Sequence, residues 1–278
     1  MATVAQLLRS AADLPGESAR REGEILLCAC VHKPRSWLYA WPEATIPDET
    51  AAQFARLLAA RRAGQPIAYI LGEREFWSLT LKVTSATLIP RPETEALVAW
   101  ALELPLPRHA TVLEMGTGSG AIALALASER CHWQITATDN SDDALAVASA
   151  NARSSALDAG VTFVQSDWYA GLGRERFDLV CSNPPYICPD DAHLQNGDLR
   201  FEPRSALAAA EGGMADLRCI VSAAREHLND NGWLLVEHGF EQGEAVRTLF
   251  AQAGFTAITT RRDLAGLERT TGGCNSAQ

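Results

Sequence analysis

Four consecutive residues, Asn183-Pro184-Pro185-Tyr186, combine a side-chain amide, a constrained turn and an aromatic ring. An amide nitrogen that attacks a methyl group has a delocalised lone pair, so a site must hold its NH2 and place the nitrogen in line with the departing group. The Asn183 side-chain oxygen and the Pro184 carbonyl can each accept one N–H bond. The prolines Pro184 and Pro185 restrict the turn that aims both acceptors at one point. Tyr186 offers an aromatic face to a planar acceptor group. The plain alternative is a rigid Pro-Pro loop after a strand.

Upstream, Glu114-Met115-Gly116-Thr117-Gly118-Ser119-Gly120 places three glycines at alternate positions between an apolar run and a helical pattern. Such a turn lets a ligand approach the backbone without a Cβ in the way. The spacing is neither that of a dinucleotide fingerprint nor that of a P-loop, because no Gly-Lys-Ser/Thr follows. By itself it marks a tight strand–helix connection. Glu114 raises its interest: a carboxylate there would repel a pyrophosphate but could hold a cationic amino group, such as the methionine part of S-adenosylmethionine.

Asp139, at the end of the next strand pattern, is placed to accept from two ribose hydroxyls, although a strand-end Asp is commonly a cap. In Ser166-Asp167-Trp168, Asp167 could accept from an adenine amino group while Trp168 packs on the base; ordinary core packing is the alternative for Trp168. No strong general base stands out. A methyl donor activated by a positive sulfur needs none, since placement and electrostatics can supply most of the acceleration. His238 is expected to be structural or to line the cofactor cleft. Glu202, Pro203 and Glu211 are candidates for substrate contact.

The elements that must position these residues alternate. After Ala110, strands are expected at 111–115, 134–138, 161–165, 177–182, 233–237 and 256–260, with helices at 121–128, 142–152, 215–228 and 242–253. This predicts an α/β fold with a mostly parallel sheet covered on both faces, binding ligands at the carboxyl ends of its strands. Residues 1 to about 75 show helical spacing (Leu7, Leu8, Ala11; Ile25, Leu26, Ala29, Cys30; Phe54, Leu57, Leu58, Arg61), and Pro47-Asp48-Glu49 reads as a helix start. Phe76 to Ile89 reads as a β-hairpin or paired strands. Glu93 to Leu104 is helical again and ends at Pro105 and Pro107.

The 278 residues carry a formal net charge of −10, which argues against a nucleic-acid backbone as direct partner, since phosphate neutralisation needs a basic surface. No apolar run approaches the ~20 residues of a membrane helix, and the N-terminus lacks a secretion-signal pattern. Seven cysteines without a Cys-x-x-Cys pair fit reduced thiols better than a disulfide framework or zinc site. A cytoplasmic, monomeric protein without a metal is expected.

Together these motifs resemble the bacterial glutamine-N5 methyltransferases that act on peptide-chain release factors (the HemK/PrmC family). The likeness runs nearly end to end. It includes Gln65-Pro66-Ile67-Ala68-Tyr69, Gly72-Glu73-Arg74-Glu75-Phe76, Leu88-Ile89-Pro90-Arg91-Pro92-Glu93-Thr94-Glu95, Phe201-Glu202-Pro203 and Asp263 to Arg269.

The resemblance implies a helical substrate-docking domain (1–75), a β-hairpin linker (76–90) and a seven-stranded Rossmann-like class I methyltransferase domain (91–278) whose last strand is antiparallel. It implies S-adenosylmethionine as donor, S-adenosylhomocysteine as product, and the glutamine of a release-factor Gly-Gly-Gln tripeptide as acceptor. Glu114, Gly116, Thr117, Gly118, Ser119, Gly120, Asp139, Asp167, Trp168 and Asn183 are then expected at the cofactor. Asn183, Pro184, Pro185 and Tyr186 are expected at the glutamine. The rival readings are a ribosomal-protein glutamine, an exocyclic amino group of nucleic acid, or a non-catalytic binding module. The tail from Gly272 to Gln278 is too short and polar to interpret.

Overall fold

The helical periodicity of the N-terminus folds into α1 (Val4–Arg9), α2 (Ala19–Val31), α3 (Arg35–Ala40), α4 (Asp48–Arg62) and α5 (Ile67–Leu71). A minimal antiparallel pair, β1 (Ala2–Thr3) with β2 (Thr45–Ile46), completes this part. The computed structural model describes residues 1–14 and 18–276. The chain divides into two compact units, Met1–Glu73 and Arg74–Gln278.

In the first unit α1 opens on a capping box between Thr3 and Gln6. Helix α4 follows Pro47, with Asp48 and Glu49 in its first turn and Arg61 and Arg62 in its last, each matching the helix dipole. Leu26, Leu27 and Cys30 of α2 pack with Phe54 and Leu58 of α4 and with Val4, Ala11 and Leu38. Leu27 rather than Ile25 completes the inner face of α2. The buried Glu24 is held by Arg35, Tyr39 and Arg20. Arg61 grips Glu22 through two hydrogen bonds of 2.8 and 3.0 Å.

The hairpin of β3 (Glu73–Phe76) and β4 (Leu79–Lys82) turns through Trp77 and Ser78, both at positive φ (50° and 62°). That is the backbone twist a two-residue hairpin requires. The strands start three residues before the expected Phe76 and end at Lys82. Beyond them Thr84 and Thr87 fold the chain into a turn, with Thr87 N–H donating to the Thr84 carbonyl at 3.0 Å, so the apolar residues up to Ile89 form a loop.

The rest of the second unit is α6 (Glu95–Glu103), β5 (Thr111–Met115), α7 (Ala121–Glu129), β6 (Gln134–Asp139), α8 (Asp142–Ser154), β7 (Val161–Gln165) and β8 (Phe177–Ser182). It continues with a short kinked α9 (Ala210–Gly213), α10 (Ala215–Ala223), β9 (Leu228–Glu237), α11 (Gly243–Gln252), β10 (Thr256–Arg262) and β11 (Glu268–Asn275). The seven-stranded sheet has the order β10-β11-β9-β8-β5-β6-β7 and is parallel except for β11. The chain leaves β5 toward β6 and β7, then returns to lay β8 on the other side of β5. That reversal is the switch point at which open α/β sheets bind ligands.

Side chains alternate across this sheet. Val112, Leu179, Cys181 and Leu235 enter one core with α6, α7, Phe76 and Leu81. Leu113, Met115, Val180, Leu234 and Val236 enter the other with α10 and α11. By the same alternation Glu114, Asn183 and Glu237 belong to the α6 side.

The tail is a correction. Gly272, Gly273, Cys274 and Asn275 lie in β11, between β9 and β10. A Cβ on Gly272 would lie 2.4 Å from Leu235 and 2.6 Å from Trp100, and one on Gly273 would lie 2.8 Å from Phe250. At these two positions bulky neighbours leave no room for side chains, which interrupts the strand's pattern. Ala277 and Gln278 lie outside the described residues. Helix α10 also stops at Ala223, five residues short of the expected Leu228, which begins β9.

Candidate active site

The glycine turn follows β5 with Gly116, Gly118 and Gly120 at φ of 71°, 55° and 86°, a region that L side chains enter only under strain. The three do different work. Gly118 faces open space, where a Cβ would meet no atom within 4 Å. Gly120 lines none of the cavities described below; its missing Cβ would lie 3.2–3.4 Å from Leu124 and Ala148, so it lets α7 approach α8.

Glu114 is buried beneath the turn. Its Oε2 accepts from the Thr117 hydroxyl at 2.6 Å and from the Ala123 N–H at 3.0 Å. Burial pushes its carboxyl up to about 8, against those two donors, and the charge of Asp139 adds to the rise. Asp139, at the end of β6, accepts from Gly118 N–H at 2.9 Å and from Ser141 N–H at 3.0 Å. Asn151 of α8 ties the turn to the hairpin, donating to the carbonyls of Ser119 and Lys82 and accepting from Lys82 N–H.

Three cavities meet at this edge of the sheet. The main one, of about 300 Å³, is lined by Gly116, Gly118, Asp139, Asp167, Trp168, Asn183 and Pro185, with Thr87 and Leu88 at its border. A small one of about 50 Å³ reaches Glu114, Thr117 and Ser119. A third, of about 100 Å³, is lined by Asn183, Pro184, Tyr186, Leu88 and Leu207. Asn183 borders all three.

Trp168 sits at positive φ (48°), a strained conformation for an aromatic residue, fixed by Ser166, whose hydroxyl donates to the Trp168 carbonyl at 2.7 Å. Its side chain neighbours the carboxylate of Asp216, in the first turn of α10; burial raises that carboxyl, Trp168 opposes the rise and the Asp167 charge adds to it. The main cavity thus carries Asp139, Asp143, Asp167 and Asp216, and no Lys or Arg among the described residues lines it.

The Asn183–Tyr186 segment leaves β8 pinned on several sides. Asn183 Nδ2 donates to Thr94 Oγ1 at 3.1 Å, which leaves Oδ1 without a partner among the described residues. No described residue donates to the Pro184 carbonyl either. The Tyr186 carbonyl accepts from Gln242 at 3.0 Å, and Ile187 exchanges backbone bonds with Leu207 and Ala209. Tyr186 Oη donates to Glu237 Oε1 at 3.1 Å. Burial raises the phenol further above its usual range, as does the Glu237 charge. Burial likewise pushes Glu237 up to about 7, opposed by the hydroxyls of Thr94 and Tyr186 and by Arg269.

Of the remaining candidates, His238 is structural: it is buried, with Nδ1 at 2.8 Å from the Gly239 carbonyl and Nε2 at 2.9 Å from Thr271 Oγ1, and burial lowers its pKa. Glu202 is buried and occupied by Ile89 N–H and Arg91, and so holds two loops together; Glu211 pairs with Arg218 at 3.0 Å. Pro203 does border the main cavity. Thr94, Glu237, Asn151 and Asp216 were not legible as site residues. Their partners lie tens of residues away, and no local period connects them.

The arrangement places a cationic-ligand cavity beside a narrow slot, with two unengaged carbonyl acceptors at their junction. Residues 2–72 match the family model described as "PrmC N-terminal domain", and residues 94–198 match "Methyltransferase small domain". Release factor glutamine methyltransferase of Shewanella oneidensis is 50% identical over 92% of this chain and 90% of its own. That of Pseudomonas aeruginosa is 49% identical over 98% of both chains. Among solved structures, a methyltransferase from Pyrococcus furiosus shares the fold with a TM-score of 0.54 at 16% identity, covering 72% of this chain and 90% of that one. With half its residues shared along nearly its whole length, the chain belongs to the release factor glutamine methyltransferase family.

Proposed function

We propose that the protein transfers the methyl group of S-adenosylmethionine to the side-chain amide nitrogen (N5) of a release-factor glutamine, the one in the Gly-Gly-Gln tripeptide. The observation that carries this reading is Asn183, which borders both the large cavity and the narrow slot and has its Oδ1 unengaged.

The donor fits the residues present. Four carboxylates and, among the described residues, no cation line the large cavity, which suits a positively charged nucleoside and disfavours a phosphate-bearing one. The space in front of Gly118 is where a side chain would intrude. Asp139 and Asp167 would hold the nucleoside, Trp168 would cover the base, and Glu114, reached through the small cavity, would face the amino group. When bound, the donor supplies a methyl group made electrophilic by its positive sulfur.

The chain's own part is placement. Asn183 Oδ1 and the Pro184 carbonyl would each accept one amide N–H, which fixes the nitrogen's plane and direction. The Tyr186 ring and Leu88 would close over the planar group and exclude water. The first unit would dock the release factor. The proposed partner is the release factor itself, bound without membrane or nucleic acid by a monomeric, cytoplasmic enzyme. Separately, no described helix is long and apolar enough to cross a membrane.

The test is a competition of acceptors. Purified protein and S-adenosylmethionine are incubated with a release factor, a ribosomal-protein mixture and DNA in parallel. Methyl on the release factor alone supports the proposal; methyl on either other acceptor overturns the substrate.

A further inference from the structure

Asparagine presents two nearly isosteric ends, an acceptor and a donor, and only the acceptor end can hold a substrate NH2. What decides which end of Asn183 faces the slot is therefore part of the reaction. Its Nδ2 donates to Thr94 Oγ1 at 3.1 Å, from a residue 89 positions away. A threonine hydroxyl both donates and accepts, so this bond alone leaves the amide free to turn over. The Thr94 hydroxyl, however, also neighbours the buried carboxylate of Glu237, whose Oε1 takes Tyr186 Oη and whose Oε2 has no hydrogen-bond partner among the described residues.

The sheet puts these groups side by side. Ser182 and Val236 are register partners in β8 and β9, so Asn183 and Glu237 are the next residues of the two strands. Thr94, in the turn ahead of α6, lies over the same face. Tyr186 Oη donates to Glu237 Oε1 at 3.1 Å, so the slot's aromatic wall is referred to the same carboxylate.

Resting on the amide-transfer reading above, we propose that Glu237 and Thr94 are positioning residues that set the polarity of the Asn183 amide. An ionised carboxylate only accepts. Its unpartnered Oε2 would accept a hydrogen bond from the Thr94 hydroxyl, which then has only a lone pair to offer Asn183, and only Nδ2 satisfies it. Oδ1 is thereby turned to the slot. A protonated Glu237, or a glutamine in its place, can donate to Thr94, and the hydroxyl is released to donate to Asn183 Oδ1 instead.

The charged groups around Glu237 are Arg269 on β11, which favours its ionised form, and Glu93 in the turn, which opposes it. Arg269 is itself paired with Asp263 at 3.2 Å. Arg91 lies near Tyr186. With burial leaving Glu237 at about 7, the aligned form is lost as pH falls through that value.

The experiment compares kcat at saturating donor across pH for wild type, Glu237→Gln, Thr94→Val and Thr94→Ser. Binding of S-adenosylhomocysteine and Tm are read alongside. The wild-type kcat should fall as pH drops through about 7, while Glu237→Gln and Thr94→Val lose about tenfold or more in kcat and lose that inflection. S-adenosylhomocysteine should bind all four similarly, and Thr94→Ser should recover most of the rate. Wild-type kcat with the same inflection in Glu237→Gln, or no rescue by Thr94→Ser, would overturn the proposal.

A readout without turnover separates this from failure of the functional reading. The Asn183 side-chain NH2 resonances, assigned by their loss in Asn183→Ala, should shift in wild type with an apparent pKa near 7 and stay fixed in Glu237→Gln. Resonances that titrate identically in both proteins would contradict it, whatever the enzyme methylates.

Discussion

The carboxylate of Asp139 accepts the Gly118 N–H at 2.9 Å, so the end of β6 and the tip of the glycine turn form one assembly. Asp139 is thus both wall and brace of the large cavity: one oxygen holds the turn, and the other is shared with Ser141 N–H. Replacing Asp139 with Ala should weaken donor binding by about tenfold or more, the scale of a lost charge-assisted hydrogen bond. Titration calorimetry with S-adenosylhomocysteine measures this directly. An unchanged Kd would place the ribose contact elsewhere.

Two glycines should respond in opposite ways to one added methyl group. At Gly118 the new Cβ meets nothing, so Gly118→Ala should cost only the left-handed backbone strain of about 1–2 kcal/mol while intruding on the donor cavity. Fold is kept and donor affinity falls. At Gly213 the Cβ would stand 2.1 Å from the Tyr186 carbonyl oxygen, a backbone atom held by Gln242. Gly213→Ala should therefore displace the Asn183–Tyr186 loop and lower kcat, with donor affinity changed less. A pair of thermal melts and binding curves separates the two. Equal loss of donor affinity in both would refute the distinction.

Much of the fold was legible in the chain, because it rests on local periods. Strands β5, β7 and β8 match their expected bounds, and Asn183, Gly116, Gly118, Asp139, Asp167 and Trp168 do converge on one cavity. What escaped was set by tertiary packing. Strand β11 is hidden by glycines that Leu235, Trp100 and Phe250 demand. The hairpin boundary depended on a Trp77-Ser78 turn with no glycine or asparagine to announce it. Thr94 and Glu237 acquire meaning only through the parallel register that sets Glu237 beside Asn183.

Glu114 should make the unfolding free energy depend on pH. In the unfolded chain its carboxyl titrates near the ordinary 4.5, in the folded protein at about 8. The folded state therefore holds the proton longer. Its stabilising contribution is full below about 4.5 and is lost as pH rises toward about 8, by on the order of a few kcal/mol. A Gln at 114 can still accept from Thr117 and Ala123 but has no proton to release. Urea unfolding of wild type and Glu114→Gln at about pH 6 and about pH 8 should show the variant gaining on wild type at the higher pH. Parallel slopes would assign the titration to another group.

Removing the acceptor end of Asn183 should spare the donor cavity. Asn183→Ala should lower kcat by about tenfold or more through lost placement, with S-adenosylhomocysteine affinity nearly unchanged. Single-turnover kinetics with the donor prebound checks it. A near-normal rate would remove Asn183 from its assigned role.

The most direct test of the central claim is fragment-ion mass spectrometry of a release factor after incubation with the protein and S-adenosylmethionine. One added methyl is expected, on the side-chain nitrogen of the glutamine in Gly-Gly-Gln and nowhere else in the factor. A methyl found on any other residue, or an unmodified factor under conditions where donor binding is verified, would contradict it.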